Sequence, residues 1–454
     1  MSEQSDFYTL LGLSGIEFWE RFSFYTLSYL LPLYLVEQAV KGGMGFSESS
    51  ALFWVGLYGF AAWSSPVVGG IFADRLFGLI NALLIGGLMI ISGHVLLFFI
   101  DNGSPLILFC GLLLVSIGTG LFKPSITGLV GEIFTARPNQ RERAYSFYYS
   151  AINLGILASG IGGGLIVARY GYHWGFSAAG WGMIMAMLWF FKDYFTFKKK
   201  FSDIRNIRKH SIQRNAAVPI AKVRLVLAFS YISSWLWGCV YFLGIGGFLM
   251  LLIKSYTDRH VGSFEIPLSW FPSISPFFLI ALTSIFSVIW KHLAVKGKEP
   301  STFLKLAWGQ FLCAATLGVL ILALLKTNGV PPGTPALGCS LIAAFYIIGV
   351  VGEIFTCPIS YSLISAVTGT KDIALRQAFC FACYGLGSIT AGAIGALYFA
   401  NKSIIWLLII MTLIFIVFLV MLVLESRYVD WGISTAEALD SPEIGHYHEP
   451  ESTM

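Results

Sequence analysis

Glu17, Glu20 and Arg21 lie inside the first long apolar stretch of the chain, Lys123 inside another and Glu353 inside a third. A charged side chain near the centre of a bilayer costs roughly 2.5–3.5 kcal/mol on insertion scales, so such residues are rarely idle. Three carboxylates stand against two cations, which leaves one acid without an evident counter-ion. Such an acid can take up and return a proton, because burial favours its neutral form and an approaching cation its ionised form. Glu17 and Arg21 are four residues apart, as are Glu20 and Phe24, and Arg21 and Tyr25. On a helix these pairs share one face. That stripe cannot face lipid, so it lines a polar cavity or the interior of a bundle. The bland reading is an ion-pair latch between helices. The functional reading is a proton-coupling site.

The elements that hold these groups have their own signatures. Lys123 stands in Gly118-Thr119-Gly120-Leu121-Phe122-Lys123-Pro124-Ser125, where glycines admit a close neighbour and Pro124 loosens the backbone. A snorkelling lysine is disfavoured, since apolar residues continue to Phe134. Glu353 and Pro358 form a second charged, breakable segment. The run Gly69–Arg75 closes the second stretch, and Asp74 with Arg75 reads as a latch between helix ends. His94, alone on an apolar helix, reads as a hydrogen-bonded structural histidine.

With 454 residues, 56% hydrophobic and 12% charged, and a mean hydropathy of +0.76, the chain is too apolar for a soluble domain. Stretches long enough to cross ~30 Å of hydrocarbon begin with Ser14–Val36, Ser50–Ala73, Leu79–Ile100, Pro105–Phe134, Ala144–Ala168 and His173–Phe191. They continue with Val223–Ile253, Pro272–Trp290, Phe303–Leu325, Ala336–Val367, Ile373–Phe399 and Ser403–Leu424. The expected fold is an all-α membrane protein of about 12 transmembrane helices in two six-helix bundles. Residues 1–13 read as a cytoplasmic N-terminus, 14–191 and 223–424 as the bundles, 192–222 as a basic linker and 425–454 as a polar tail. Alternate turns hold 20 of the 29 Lys and Arg and the opposite turns only six, which predicts both termini on the cytoplasmic side of the inner membrane. The net charge of +5 follows from this topology and calls for no nucleic acid. The seven cysteines lie almost all in apolar stretches and read as packing residues. No metal or cofactor is expected, protons being the coupling ion, and a catalytic centre is not expected because HExxH and GxSxG patterns are missing from suitable places.

Two six-helix halves joined by a basic linker resemble the major facilitator superfamily, with a substrate cavity between the halves. Glu17-Phe18-Trp19-Glu20-Arg21-Phe22 matches the ExxERF motif of the proton-dependent oligopeptide transporter family. Gly69–Arg75, Gly118–Pro124, Phe147–Gly155, the segment from Glu353 to Pro358 with Ser362, and Ser269-Trp270-Phe271 with Pro276 resemble that family in order along the chain. The resemblance implies proton coupling by Glu17, Glu20 and Arg21, with Glu353 as a further candidate. It implies a peptide carboxylate on Arg21 and Lys123, a peptide amino group on Glu353, and a pocket lined by Tyr25, Tyr58, Trp63, Asn153, Ser275 and Ser362.

Departures from the family pattern sharpen this picture. Ser28 stands where many members carry a second arginine, and Leu243-Gly244 where they carry an acid and often Gln. The resemblance makes those two groups an ion pair near the outer gate. Losing both together is what electrostatics demands, since losing one strands a buried charge at about 3–5 kcal/mol. Outer closure is therefore expected from apolar packing around Leu243, Gly244, Gly246 and Gly247. Ser275 replaces an asparagine, and Trp63 stands where tyrosine is common. The expectation is a monomeric, proton-coupled importer of di- and tripeptides or peptide-like solutes in a lipid bilayer. The alternative is the same fold moving another amphoteric or anionic metabolite, with export possible.

Overall fold

The computed structural model describes residues 3–100, 104–133, 138–208, 220–367 and 373–428. Six helices make the first half: α1 (Glu3–Val36), α2 (Glu48–Phe72), α3 (Leu79–Phe98), α4 (Pro105–Ile133), α5 (Pro138–Tyr170) and α6 (Tyr172–Arg208). The second half holds α7 (Ile220–Ile245), α8 (Phe248–Tyr256), α9 (Ile274–Val295), α10 (Thr302–Thr327), α11 (Cys339–Val367), α12 (Ile373–Asn401) and α13 (Ile405–Tyr428). Eleven of the described spans are long and apolar enough to cross a membrane by composition. The first helix completes the set of twelve, its charges lowering its hydropathy.

Two boundaries differ from the sequence reading for clear reasons. Helix α1 begins at Glu3, inside the polar N-terminal segment, because Leu10 and Leu13 bury against Phe197 and Phe201 of α6. Asp6 pairs there with Lys200 at 2.8 Å, so a lysine assigned to the solvated linker is buried. The seventh span is two helices, α7 and α8, broken at Gly246 and Gly247. Gly247 has φ +101°, a left-handed value that favours glycine. A Cβ there would collide with Pro32 of α1, so the break also lets the halves meet. Beyond α8 lies a small antiparallel hairpin, β1 (His260–Val261) and β2 (Phe264–Glu265), with His260 opposite Glu265. The linker residues 209–219 and most of the polar tail lie outside the described residues.

Membrane helices gain no hydrophobic drive from meeting each other, so small residues must let backbones approach. Gly56 of α2 faces Gly392 of α12, where an added Cβ would lie 2.9 Å from the Gly392 Cα. Gly238 of α7 backs onto Tyr384 and Gly387 of α12 in the same manner. Ser269 and Trp270, in the short turn before α9, donate to the Gly160 and Ile161 carbonyls of α5 at 2.7 and 3.2 Å. On the hairpin side one continuous core therefore joins both halves, from Phe24–Leu35 of α1 through Leu236–Ile253 to Tyr384–Tyr398. On the linker side the core divides. One cluster belongs to α1, α3, α4, α5 and α6, and another, with Val226, Leu306, Leu363 and Met421, to the second half. The halves are locked at one face and part at the other.

Candidate functional site

Helix α1 brings Glu17, Glu20 and Arg21 to one buried point. The Arg21 guanidinium donates to both oxygens of Glu20, from Nε at 2.5 Å and Nη2 at 2.6 Å. Its Nε also lies 3.3 Å from Glu17. Lys123 of α4 completes the group through a close ion pair with Glu17. Glu17 and Glu20 are fully buried and Arg21 nearly so. Two acids and two cations thus neutralise each other inside the first half, as buried charges must.

Local sequence explains how the cations arrive. Pro124 has no N–H for the carbonyl of Gly120, which is left free within α4. Gly69 of α2 packs against that carbonyl, and Gly86 of α3 packs against Gly118. These contacts seat α4 so that Lys123 reaches Glu17, its Nζ 5.7 Å from the Tyr148 ring centroid. Gly155 of α5 backs onto the Phe18 carbonyl, where a Cβ would lie 3.1 Å from the Arg21 Cβ. The Phe147–Gly155 motif therefore supports Arg21 from behind.

Glu353, on α11, is apart from this group. It is half-buried, and its Oε1 accepts from the Tyr149 hydroxyl of α5 at 3.5 Å, across the seam between the halves. Among the described residues no cation contacts it. The acid without a counter-ion is thus Glu353, an identity that sequence left open. Tyr25 stands between the two sets. Its ring is 6.0 Å from the Arg21 guanidinium, its hydroxyl is 2.8 Å from that of Tyr241 on α7, and it is within electrostatic reach of Glu353. A cavity of about 20 Å³ borders Glu353, Tyr241, Trp237, Ser275, Thr316 and Tyr346. That is room for about one water, so this conformation is contracted around the seam.

The remaining candidates distribute as follows. Trp63 is half-buried in an aromatic cage from both halves: Phe24 at 6.4 Å, Tyr241 at 6.4 Å, Phe242 at 5.8 Å, Phe381 at 6.0 Å and Tyr384 at 5.8 Å. Tyr58 stacks on Phe24 at 6.4 Å. Asn153 is buried and its amide donates to the Tyr149 carbonyl of its own helix at 2.9 Å. Ser275 borders the cavity beside Glu353. The side chain of Ser362 lies outside the described residues. Asp74 and Arg75 are exposed in a π-helical turn after α2, apart from the charge cluster. Leu243 is fully buried, and the Gly244 carbonyl accepts from the Tyr346 hydroxyl at 3.1 Å. Ser28 donates to the Phe24 carbonyl of its own helix at 2.8 Å, so it makes no cross-seam pair. His94 bonds Ser23 at 3.0 Å.

Sequence reasoning missed several participants. Tyr149 lay within the Phe147–Gly155 motif but was given no role, and Tyr241, Phe381 and Tyr384 carried no signal above the 16% aromatic background. It also missed the pair between Lys254 of α8 and Glu37 beyond α1, at 3.1 Å, which ties the halves on the hairpin side. Opposite charges at the ends of neighbouring spans were the available clue.

Comparison with known proteins agrees with this architecture. The sequence profile of the POT family matches residues 80–243 and 225–403. The uncharacterized transporter YclF of Bacillus subtilis (strain 168) is 28% identical over 78% of this chain and 80% of its own length. The peptide transporter YePEPT of Yersinia enterocolitica subsp. palearctica serotype O:3 (strain YE-P4) is 27% identical over 86% of this chain and 87% of its own. A crystal structure of a peptide transporter POT in complex with alafosfalin superposes with a TM-score of 0.79 and 23% identity, covering 92% of this chain and 94% of that one. That likeness concerns the fold.

Proposed function

The chain belongs to the POT family of membrane transporters, and from that premise we propose that it imports di- and tripeptides or peptide-like solutes, driven by one proton per zwitterionic substrate. The observation that carries the reading is the division of charge: a neutral cluster in one half and a lone acid, Glu353, in the other. With Glu353 protonated, Glu17, Glu20, Arg21, Lys123 and Glu353 of the empty carrier are together neutral. A zwitterionic peptide adds a carboxylate, drawn to Arg21 and Lys123, and an ammonium, drawn to Glu353. Glu353 must ionise to meet the ammonium. The cluster, now holding three carboxylates against two cations, must gain the proton that Glu353 gives up, and Glu17 or Glu20 accepts it. Loaded and neutral, the seam can close with no charge stranded.

The halves are joined on the hairpin side and divided on the linker side, so the conformation faces the linker side. The distribution of Lys and Arg supports assigning that side to the cytoplasm. Outer closure then rests on Leu243, the Gly246–Gly247 break against Pro32, and the Glu37–Lys254 pair. A membrane potential contributes about 2.3 kcal/mol per 100 mV for each charge carried, ample to concentrate a neutral peptide. A second reading, transport of another amphoteric metabolite, is favoured by Ser275 beside Glu353 and by the absence of an acid at Leu243. Uptake of labelled dialanine into liposomes under an imposed pH gradient tests the proposal. Accumulation that follows the gradient and fails in Glu353→Gln is expected. Uptake indifferent to the gradient removes the coupling, and competition by a metabolite panel but not by peptides selects the second reading.

A further inference from the structure

Three helices of the second half each carry a stripe with polar or thiol side chains at its middle. On α7 it runs Val226, Ser230, Ser233, Trp237, on α10 Leu306, Gln310, Cys313, Leu317, and on α11 Glu353, Thr356, Ser360, Leu363. The spacings of three and four residues keep each stripe on one helix face. At one end lie Trp237 and Glu353, which border the small cavity together with Thr316. At the other lie Val226, Leu306 and Leu363, members of one apolar cluster that also holds Ala307, Ile359 and Met421. That cluster brings the linker-side ends of the three stripes together. Midway, Gly309 of α10 packs directly against the Thr356 hydroxyl.

The polar middle is buried and unsatisfied. Ser230, Ser233, Gln310, Thr356 and Ser360 have 0–1% exposure. Among the described residues the hydroxyls of Ser230, Ser233 and Ser360 and both ends of the Gln310 amide have no hydrogen-bond partner. Buried polar groups are almost always bonded, if not to protein then to ordered water. Gln310 has neither its carbonyl nor its amide satisfied among the described residues, so it calls for more than one such partner.

We propose that Ser230, Ser233, Gln310, Thr356 and Ser360 line a hydrated column within the second bundle that passes protons between Glu353 and the linker side. This deepens the coupling proposed above and rests on it. Glu353 is the head of the column. The groups facing it are the phenols of Tyr149 on α5, of Tyr25 and Tyr29 on α1 and of Tyr241 on α7, and the thiols of Cys313 on α10 and Cys357 on α11. None carries a fixed charge, so the proton on Glu353 answers to water and substrate rather than to a cation. Tyr149, whose hydroxyl touches Glu353, packs in the seam with Leu279, Phe278 and Ile354. In release, departure of the substrate returns the proton from Glu17 or Glu20 to Glu353. The Glu353 O–H bond then breaks toward the first water, each water or hydroxyl hands on its own proton, and the last proton enters solvent beyond Leu306 and Leu363, leaving Glu353 ionised for the return of the empty carrier. No atom is oxidised or reduced. Opening the apolar plug in step with the cycle keeps the column from leaking.

Two measurements test this. The first is a structure of the intact protein at a resolution that shows ordered water. Waters bonded to the Gln310 amide and to Ser233 or Ser360 are expected, and a dry, close-packed column overturns the proposal whatever the transport data say. The second compares pH-driven dialanine accumulation with counterflow, an exchange that needs no net proton release. Gln310→Leu is expected to slow accumulation by on the order of tenfold or more, the scale of a lost proton-transfer group, with counterflow retained. Ser360→Ala is expected to act the same way and Ser360→Thr to restore it, which decides the matter if Gln310→Leu fails to fold. Unchanged accumulation in both Gln310→Leu and Ser360→Ala overturns the relay. Counterflow without any pH-driven accumulation in the unaltered protein removes the relay together with the coupling, while the waters at Gln310 still decide the column.

Discussion

Removing Lys123 should reveal how tightly the first-half charges depend on each other. In Lys123→Met the buried Glu17 keeps only Arg21, at 3.3 Å, and that guanidinium is already engaged by Glu20 through two bonds. Two unit charges 4 Å apart interact by about 4 kcal/mol at an effective dielectric constant of 20. Breaking a buried pair from one side costs about 3–5 kcal/mol. Lys123→Met should therefore destabilise the protein by about 3–5 kcal/mol, and Glu17→Gln by a similar amount, because each strands its partner. The double variant strands nothing and should cost no more than either single variant rather than their sum, a coupling of about 3 kcal/mol or more. Unfolding of the four proteins in mixed micelles measures this. A coupling below about 1 kcal/mol, the worth of an exposed pair, would refute the idea that the cluster is a mutually neutralised unit. The double variant should also bind dialanine more weakly, since one of the two cations offered to a carboxylate is gone.

Lys254→Ala removes a half-exposed pair worth no more than about 1 kcal/mol. It should therefore raise cysteine labelling from the hairpin side by no more than roughly fivefold, an effect that shrinks with added salt. Gly155→Val should do far more, because its side chain would meet the Phe18 carbonyl and push α5 from Arg21. Loss of both folded yield and transport is expected, whereas near-normal uptake would show that α5 does not seat Arg21. Trp63→Ala opens the aromatic cage, and at half burial should cost about 2–3 kcal/mol, below the 3–5 of a fully buried tryptophan. A thermal shift of the purified variant checks it, and no shift would mean that the cage does not hold the halves together.

The first-half cluster was readable from sequence because charges in apolar spans are conspicuous and helix spacing places Glu17, Arg21 and Tyr25 on one face. Which acid would lack a cation was not readable, since pairing is tertiary: Glu20 takes Arg21, Glu17 takes Lys123, and Glu353 is left. The Trp63 cage was invisible for a different reason, as aromatic residues occur throughout the chain and only packing selects Tyr241, Phe381 and Tyr384. The break in the seventh span could have been read from Gly246 and Gly247, yet apolar residues on both sides carried the reading through to Ile253. Lys200 misled because a lysine in a basic run reads as solvated, while Asp6, almost two hundred residues earlier, buries it. Serines and threonines in membrane helices usually bond their own backbone. Only the facing of three helices exposes Ser230, Ser233, Gln310 and Ser360 as a set.

Charge movement during transport tests the coupling account most directly. With dialanine added to proteoliposomes on a solid-supported electrode, each zwitterion should carry one proton and produce an inward positive current that persists through turnover. Glu353→Gln should bind dialanine more weakly, because the ammonium loses its carboxylate, and even at saturating dialanine should give no sustained current. Uptake without current, or a sustained current in Glu353→Gln, would contradict the assignment of Glu353 as the proton carrier.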